Sequence, residues 1–200
     1  MKGKFITFEG IDGVGKSTQI KLLSERLKAQ GRQVVLTREP GGTALAERLR
    51  QIILDAKLPL AVRTEALLFM ASRSEHVEKV ISPALEAGKT VLCDRFCDST
   101  FAYQGRSCDL EMLRKLNLIA TGGIMPDVTI ILDADPEELL LRRQERGIAD
   151  RFENKGLEFQ KELRERFLAL AKGEPERIKV VNAIGTSDEV ADEIAKCLKI

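Results

Sequence analysis

Eight residues near the amino end carry the most specific chemistry in this sequence. Gly10-Ile11-Asp12-Gly13-Val14-Gly15-Lys16-Ser17 fills the pattern G-x-x-x-x-G-K-[ST] at every position. Glycines remove the Cβ atoms that would keep backbone N–H groups from converging on phosphate oxygens, and a helix opening near Lys16 adds the positive end of its dipole. Lys16 is then placed to reach the β- and γ-phosphates of a nucleoside triphosphate, and the Ser17 hydroxyl to ligate Mg²⁺. The run from Gly10 through Thr18 is therefore assigned to a bound ATP. The competing explanation is a chance glycine turn, and the strand before it and the helix after it argue against that.

A triphosphate site does not say what receives the phosphate. A guanine-reading Asn-Lys-x-Asp motif is missing: the nearest match, Asn154-Lys155-Gly156-Leu157, has Leu where the carboxylate belongs. Two other segments suggest an acceptor that is itself a phosphate. Arg38-Glu39-Pro40-Gly41-Gly42-Thr43 and Asp94-Arg95-Phe96 each follow an apolar run, which places Arg38 and Arg95 at the same sheet edge as the glycine loop. A planar guanidinium with paired donors can hold an acceptor phosphate while one of its oxygens attacks the γ-phosphorus in line. Ion pairs with neighbours such as Glu39 or Asp98 would account for the same arginines. Further along, Arg142 and Arg146 stand one helical turn apart, and Asp150 and Arg151 follow Gly147. This group reads either as a lid aimed at the phosphates or as a solvated helix face with pairs such as Glu138–Arg142.

The elements that must position these groups follow from periodicity. Short apolar runs at 5–8, 34–37, 90–93, 128–132 and 178–181 read as strands, the fourth apolar enough to be buried on both faces. Between them Ile20, Leu23 and Leu27 repeat at helical spacing until Gly31, and Leu45, Leu49 and Ile52 do so after Gly42. A long helix begins near Arg63 and is interrupted by Pro83 and Gly88. Others cover 110–120, Pro136 to about Arg146, and 157–171. Thr186 and Glu189 stand at the capping-box spacing and open a last one, ending at Leu198. Strands alternating with helices imply one parallel sheet covered on both sides, with ligands beyond the strands' carboxyl ends.

Composition narrows the class. Two hundred residues suffice for one full core, so a single domain spanning 1–200 is expected. Lys and Arg total 32 against 31 Asp and Glu, a net charge of +1 that offers no basic face for nucleic acid or an anionic membrane. No stretch approaches the ~18 apolar residues of a membrane helix, and the first residues lack the pattern of a secretory signal, so a cytoplasmic chain is expected. Cys93, Cys97, Cys108 and Cys197 form no Cys-x-x-Cys pair and read as reduced thiols. With a single His in the chain, a zinc site is poorly supplied.

Taken in order, the segments resemble the thymidylate (dTMP) kinases, specifically the bacterial form. The likeness runs through Phe8-Glu9-Gly10-Ile11-Asp12-Gly13, the Arg38–Thr43 segment, Leu68-Phe69-Met70-Ala71-Ser72-Arg73, Asp94-Arg95-Phe96, Ser99-Thr100-Phe101-Ala102-Tyr103-Gln104-Gly105 and Asp150-Arg151-Phe152-Glu153. The resemblance implies a three-layer α/β/α P-loop kinase with a five-stranded parallel sheet and a lid at about 142–156. It implies transfer of the γ-phosphoryl of MgATP to dTMP in dTTP biosynthesis, by a homodimer packed through helices.

By the same resemblance Phe69 stacks on thymine and Arg73 hydrogen-bonds it. Asp12 accepts from the sugar 3′-hydroxyl, and Arg38 and Arg95 hold the acceptor phosphate. Ser99, Thr100 and Gln104 help read the base, Tyr103 crowds out a 2′-hydroxyl, and Asp94 holds Mg²⁺ or its waters beside Ser17. With Gly13 and Val14 where some relatives carry a loop arginine, the lid residues Arg142, Arg146 and Arg151 supply that charge. Lys16, Arg95, Arg151 and Asp12 then carry catalysis. The pattern departs at Phe96, where many relatives have Tyr or His. Left open beside this reading are a kinase for another small acceptor and a nucleotide-dependent switch acting through a partner. For Phe69 itself, membership of an apolar stripe with Leu67 and Met70 also stays open.

Overall fold

The computed structural model describes residues 3–143 and 156–200. Five strands, β1 (Phe5–Glu9), β2 (Val34–Arg38), β3 (Thr90–Asp94), β4 (Val128–Asp133) and β5 (Ile178–Asn182), form one sheet in the order β2-β3-β1-β4-β5. Every pairing is parallel. All five residues of β1 are buried, as are the first four of β3 and the middle four of β4, while the edge strands β2 and β5 alternate or lie half open. Central strands of a sheet covered on both faces must be apolar at consecutive positions, and these are.

Nine helices are described: α1 (Lys16–Ala29), α2 (Ala44–Leu54), α3 (Val62–His76), α4 (Ser82–Glu86), α5 (Cys97–Tyr103), α6 (Leu110–Thr121), α7 (Pro136–Arg143), α8 (Gly156–Gly173) and α9 (Ser187–Leu198). Ile6 and Phe8 of β1 pack with Leu23 and Leu27 of α1 and Ile194 of α9. Phe5 points the other way, into Val77, Ile81, Leu85, Val91 and Phe96. The alternation of side chains along one strand thus supplies both layers of core. Connections leaving β1 and β4, which are neighbours, run to opposite sides of the sheet and open a crevice at the strands' carboxyl ends.

Two expectations need correction. Pro83 does not end the helix that precedes it. The chain passes through a π turn at Val77–Ile81, where Ser82 N–H donates to Val77 O, and Pro83 then sits in the first turn of α4, where its missing N–H costs nothing. And α5 was not foreseen: seven residues are too few to show a period, and bonds from elsewhere in the fold hold them. The expected lid, with Arg146 and Arg151, and the side chain of Arg142 lie outside the described residues, as does the Glu138–Arg142 pair.

Candidate active site

The loop from β1 to α1 is built to receive an anion. Gly15 caps α1 with φ 101°, no side chain caps the helix, and its first turn carries no acid. The leading N–H groups and the positive dipole end therefore face the crevice. No atom lies within 4 Å of where a Cβ on Gly15 would stand, so the glycine serves the left-handed turn and leaves the space above it open.

Lys16, buried, donates Nζ to the carbonyls of Gly10 and Ile11 at 3.1 Å each, with Asp12 Oδ1 at 3.9 Å. Burial, reinforced by Arg95, draws its pKa down, against the pull of Asp12, Asp94 and Glu9. An arriving phosphate would oppose that loss of charge. Ser17 Oγ donates to Asp94 Oδ2 at 3.1 Å. One hydroxyl and one carboxylate side by side fit Mg²⁺, which takes hard oxygen ligands and fills its remaining positions with phosphate oxygens and waters.

A cleft of about 390 Å³ opens here, within the range of small-molecule sites. Asp12, Gly13, Gly15, Lys16, Ser17 and Thr18 line its donor end. Gly10, Ile11 and Val14 lie behind that lining: the first two hold Lys16 through their carbonyls, and Ile11 and Val14 join the core. Asp94 lies between the two ends, and Arg38, Phe69, Arg73, Arg95, Ser99, Thr100, Tyr103 and Gln104 form the other. Every sequence-assigned acceptor residue therefore faces one cavity.

Arg38 ends β2 and donates to Glu47 Oε2 at 2.8 Å, with half its side chain exposed. Arg95, just past β3, donates to Asp12 Oδ1 at 2.5 Å and Ser99 Oγ at 3.1 Å, and its guanidinium lies 5.2 Å from the Tyr103 ring centre. The partners of the two arginines are thus not Glu39 or Asp98. Arg95 also holds φ 69°, a costly value for a side-chain-bearing residue. Its N–H on Phe8 O and the Phe96 N–H on Glu9 Oε1 lock that conformation. Tyr103 donates its hydroxyl to Asp12 Oδ2 at 3.2 Å, and burial, opposed by Arg95, lifts its pKa, so it stays protonated.

Phe69 and Arg73 stand four apart on α3. Leu67 is exposed and Met70 buried, so half-buried Phe69 does not share a single apolar stripe with them. Arg73 donates Nε to Glu39 Oε2 at 2.7 Å, Nη1 to Thr100 Oγ1 at 2.8 Å and to Asn117 Oδ1, and Nη2 to Phe96 O at 3.0 Å. A guanidinium has five N–H donors. Among the described residues one Nη2 hydrogen of Arg73 is left without an acceptor in the protein, at the wall of the cleft.

Sequence reasoning missed Glu9, Glu39, Arg50 and Asn117. Glu9 accepts from Phe96 N, Ser99 N and Ser99 Oγ at 2.8, 3.1 and 2.6 Å, and burial, opposed by Arg95 and aided by Asp98, pushes its carboxyl up to about 7. An acid closing an apolar strand was the available signal. Arg50 lines the cleft from α2 and donates to Pro40 O at 2.9 Å. An arginine on an amphipathic helix gives no such signal.

The family model described as thymidylate kinase matches residues 8–194. The chain belongs to the thymidylate kinase family. A thymidylate kinase of Symbiobacterium thermophilum is 49% identical over 198 residues, covering 98% of this chain and 92% of that one. One from Pelotomaculum thermopropionicum is 51% identical over 187 residues, covering 92% and 87%. The crystal structure of thymidylate kinase from Ehrlichia chaffeensis matches with a TM-score of 0.81 at 38% identity, over 99% of this chain and 100% of that one.

The parallel five-stranded sheet with helices on both sides is the P-loop kinase fold of that thymidylate kinase structure. At the one departure from the thymidylate kinase pattern, Phe96 is fully buried. Its ring meets Phe5 edge-on at 4.9 Å, with the Arg73 guanidinium 5.1 Å from its centre.

Proposed function

We propose that this chain transfers the γ-phosphoryl group of MgATP to dTMP, giving dTDP and ADP, as a step toward dTTP. The observation that carries the reading is one cleft in which an amide-lined loop faces two arginines, with an aromatic ring and a spare guanidinium hydrogen at its far end. ATP phosphates lie on the loop N–H groups and Lys16. Ser17 and Asp94 would hold Mg²⁺, which when bound neutralises charge on the β- and γ-oxygens. Arg38 and Arg95 exchange their carboxylate partners for the acceptor phosphate.

That phosphate is already anionic at pH 7, so no general base is needed, and catalysis rests on alignment and charge neutralisation. Asp12 accepts from the 3′-hydroxyl and Tyr103 packs on the deoxyribose. Phe69 stacks on thymine while Arg73 donates to a base carbonyl, with Ser99, Thr100 and Gln104 around the ring. On the sequence alone, Arg142, Arg146 and Arg151 are assigned to a lid at about 142–156 that covers the phosphates and excludes water.

No helix among the described residues is long and apolar enough to cross a membrane; the proposal includes a cytoplasmic setting, with nucleotides rather than nucleic acid as partners. Exposed Leu45 and Ile52 on α2, Leu67 on α3, and Leu118 and Ile119 on α6 lie on helices that pack α2 to α3 to α6. Exposed apolar side chains on neighbouring helices support a homodimer.

Steady-state formation of diphosphate from dTMP, dUMP, dCMP and dGMP tests the reading. dTMP should give the highest kcat/KM. dUMP, short of one methyl, should trail by roughly 10-fold, and dCMP, whose amino group faces a donor, by roughly 100-fold or more. Equal rates with all four, or ATP hydrolysis indifferent to dTMP, would defeat it.

A further inference from the structure

The chain's one histidine, His76, is fully buried beneath the cleft at the end of α3. Its Nδ1 lies 3.0 Å from Glu39 Oε1 and its Nε2 2.6 Å from Thr37 Oγ1. A carboxylate can only accept, so Nδ1 carries the hydrogen, and in the neutral ring the Thr37 hydroxyl donates to Nε2. Glu39's other oxygen holds Arg73 Nε at 2.7 Å. The result is a line of contacts from β2 through an imidazole and a carboxylate to the guanidinium at the cleft wall.

The same ring supports the second arm of the acceptor site. A Cβ on Gly42 would fall 2.5 Å from His76 Cδ2 and 2.8 Å from Thr37 Oγ1, so the loop backbone lies flat on the imidazole. Gly42 N–H donates to Glu47 Oε1 at 2.9 Å, and Glu47 Oε2 holds Arg38 at 2.8 Å.

We propose that His76 is a positioning residue for recognition of the acceptor base. By occupying Glu39 Oε1 it keeps Glu39 on a single edge atom of Arg73. Without that donor the buried carboxylate turns its freed oxygen to the Arg73 Nη2 hydrogen and closes the two-point fork that carboxylates and guanidiniums favour. The hydrogen left over for the base is then consumed. The inference rests on the reading that Arg73 donates to the base of a nucleoside monophosphate.

The test compares wild type, His76→Gln and His76→Asn for kcat, KM for dTMP, KM for ATP, the dTMP-to-dCMP ratio of kcat/KM, and Tm. Gln reaches the Nε2 position and loses the donor to Glu39; Asn keeps a donor at the Nδ1 position. His76→Gln should raise KM for dTMP about 10-fold and lower the dTMP-to-dCMP ratio about as much, with kcat and KM for ATP within about twofold, the effect expected from one lost hydrogen bond to a charged group. His76→Asn should bring both back to within about threefold of wild type.

A merely structural role would lower Tm and disturb both substrates alike in the two variants. The proposal is overturned if His76→Gln keeps its dTMP KM and selectivity within twofold of wild type, or if Asn loses as much as Gln. Should His76→Gln not fold, Thr37→Val, which removes the bond that orients the ring, must raise KM for dTMP alone by about threefold, and no change there overturns it too. Wild type that fails to prefer dTMP would sink the activity reading instead.

Discussion

Glu9 shows how much a single buried group can decide in this site. Its carboxylate takes three hydrogen bonds from the start of α5 and sits 3.7 Å from Arg95. Burial nevertheless lifts its pKa from 4.5 to about 7. A raised folded-state value means the folded chain holds this proton more tightly than the unfolded one. The associated stability is complete below about 4.5 and is lost as pH rises through about 7. The gap corresponds to about 3 kcal/mol at most. Urea unfolding of wild type and Glu9→Gln at pH 4 and pH 8 isolates it, because all other groups titrate in both. Wild type should lose more stability than the variant across that interval, by up to that amount, and parallel losses would show that Glu9 does not titrate there. The places of Lys16, Ser17, Arg38 and Arg95 at the cleft were legible in the sequence, the first two from the spacing of the glycine loop and the arginines from their positions just after apolar runs. Glu9, Glu39 and Asn117 were not, because their partners lie 34 to 90 residues away and only the fold brings them together.

At the scale of elements, α5 depends on a tie across the sheet. Asp98 receives a two-point fork from Arg177 at 2.8 Å per bond and a third bond from Thr129 Oγ1, which also meets Thr7. Asp98 is 1% exposed and Arg177 14%. Removing one partner of such a pair strands the other charge. Arg177→Met should cost about 2–3 kcal/mol in chemical denaturation, a little under the ~3–5 kcal/mol of a fully buried pair because Arg177 keeps some contact with water. Adding Asp98→Asn should recover part of it. A loss under about 0.5 kcal/mol would mean the tie is solvated. The strands were readable because consecutive burial leaves consecutive apolar residues, and the last helix because Thr186 and Glu189 do form the reciprocal cap. The seven residues of α5 and the π turn before Pro83 have no pattern of their own. Their shapes are set by what they touch.

At the scale of the whole molecule, the strand order brings the ends of β1, β2 and β3 to one rim, so an anion loop and two arginines far apart in the chain share a cleft. That convergence was legible, since parallel strands joined by helices put all their carboxyl ends on one side. The exposed Leu67 of α3 and Leu118 and Ile119 of α6 belong to the same scale. Sedimentation at micromolar concentration should return twice the chain mass, and Ile119→Lys should shift it toward the single chain. A wild-type monomer would remove the proposed dimer and leave the cleft untouched. The acceptor's phosphate must lie on the two arginines, and a crystal structure with dTMP and ADP bound reads its place directly. The expected result has the dTMP phosphate within hydrogen-bond distance of Arg38 and Arg95, with its base against Phe69 and a carbonyl on Arg73. Finding Arg38 still on Glu47 and Arg95 still on Asp12, with the monophosphate elsewhere, would contradict it.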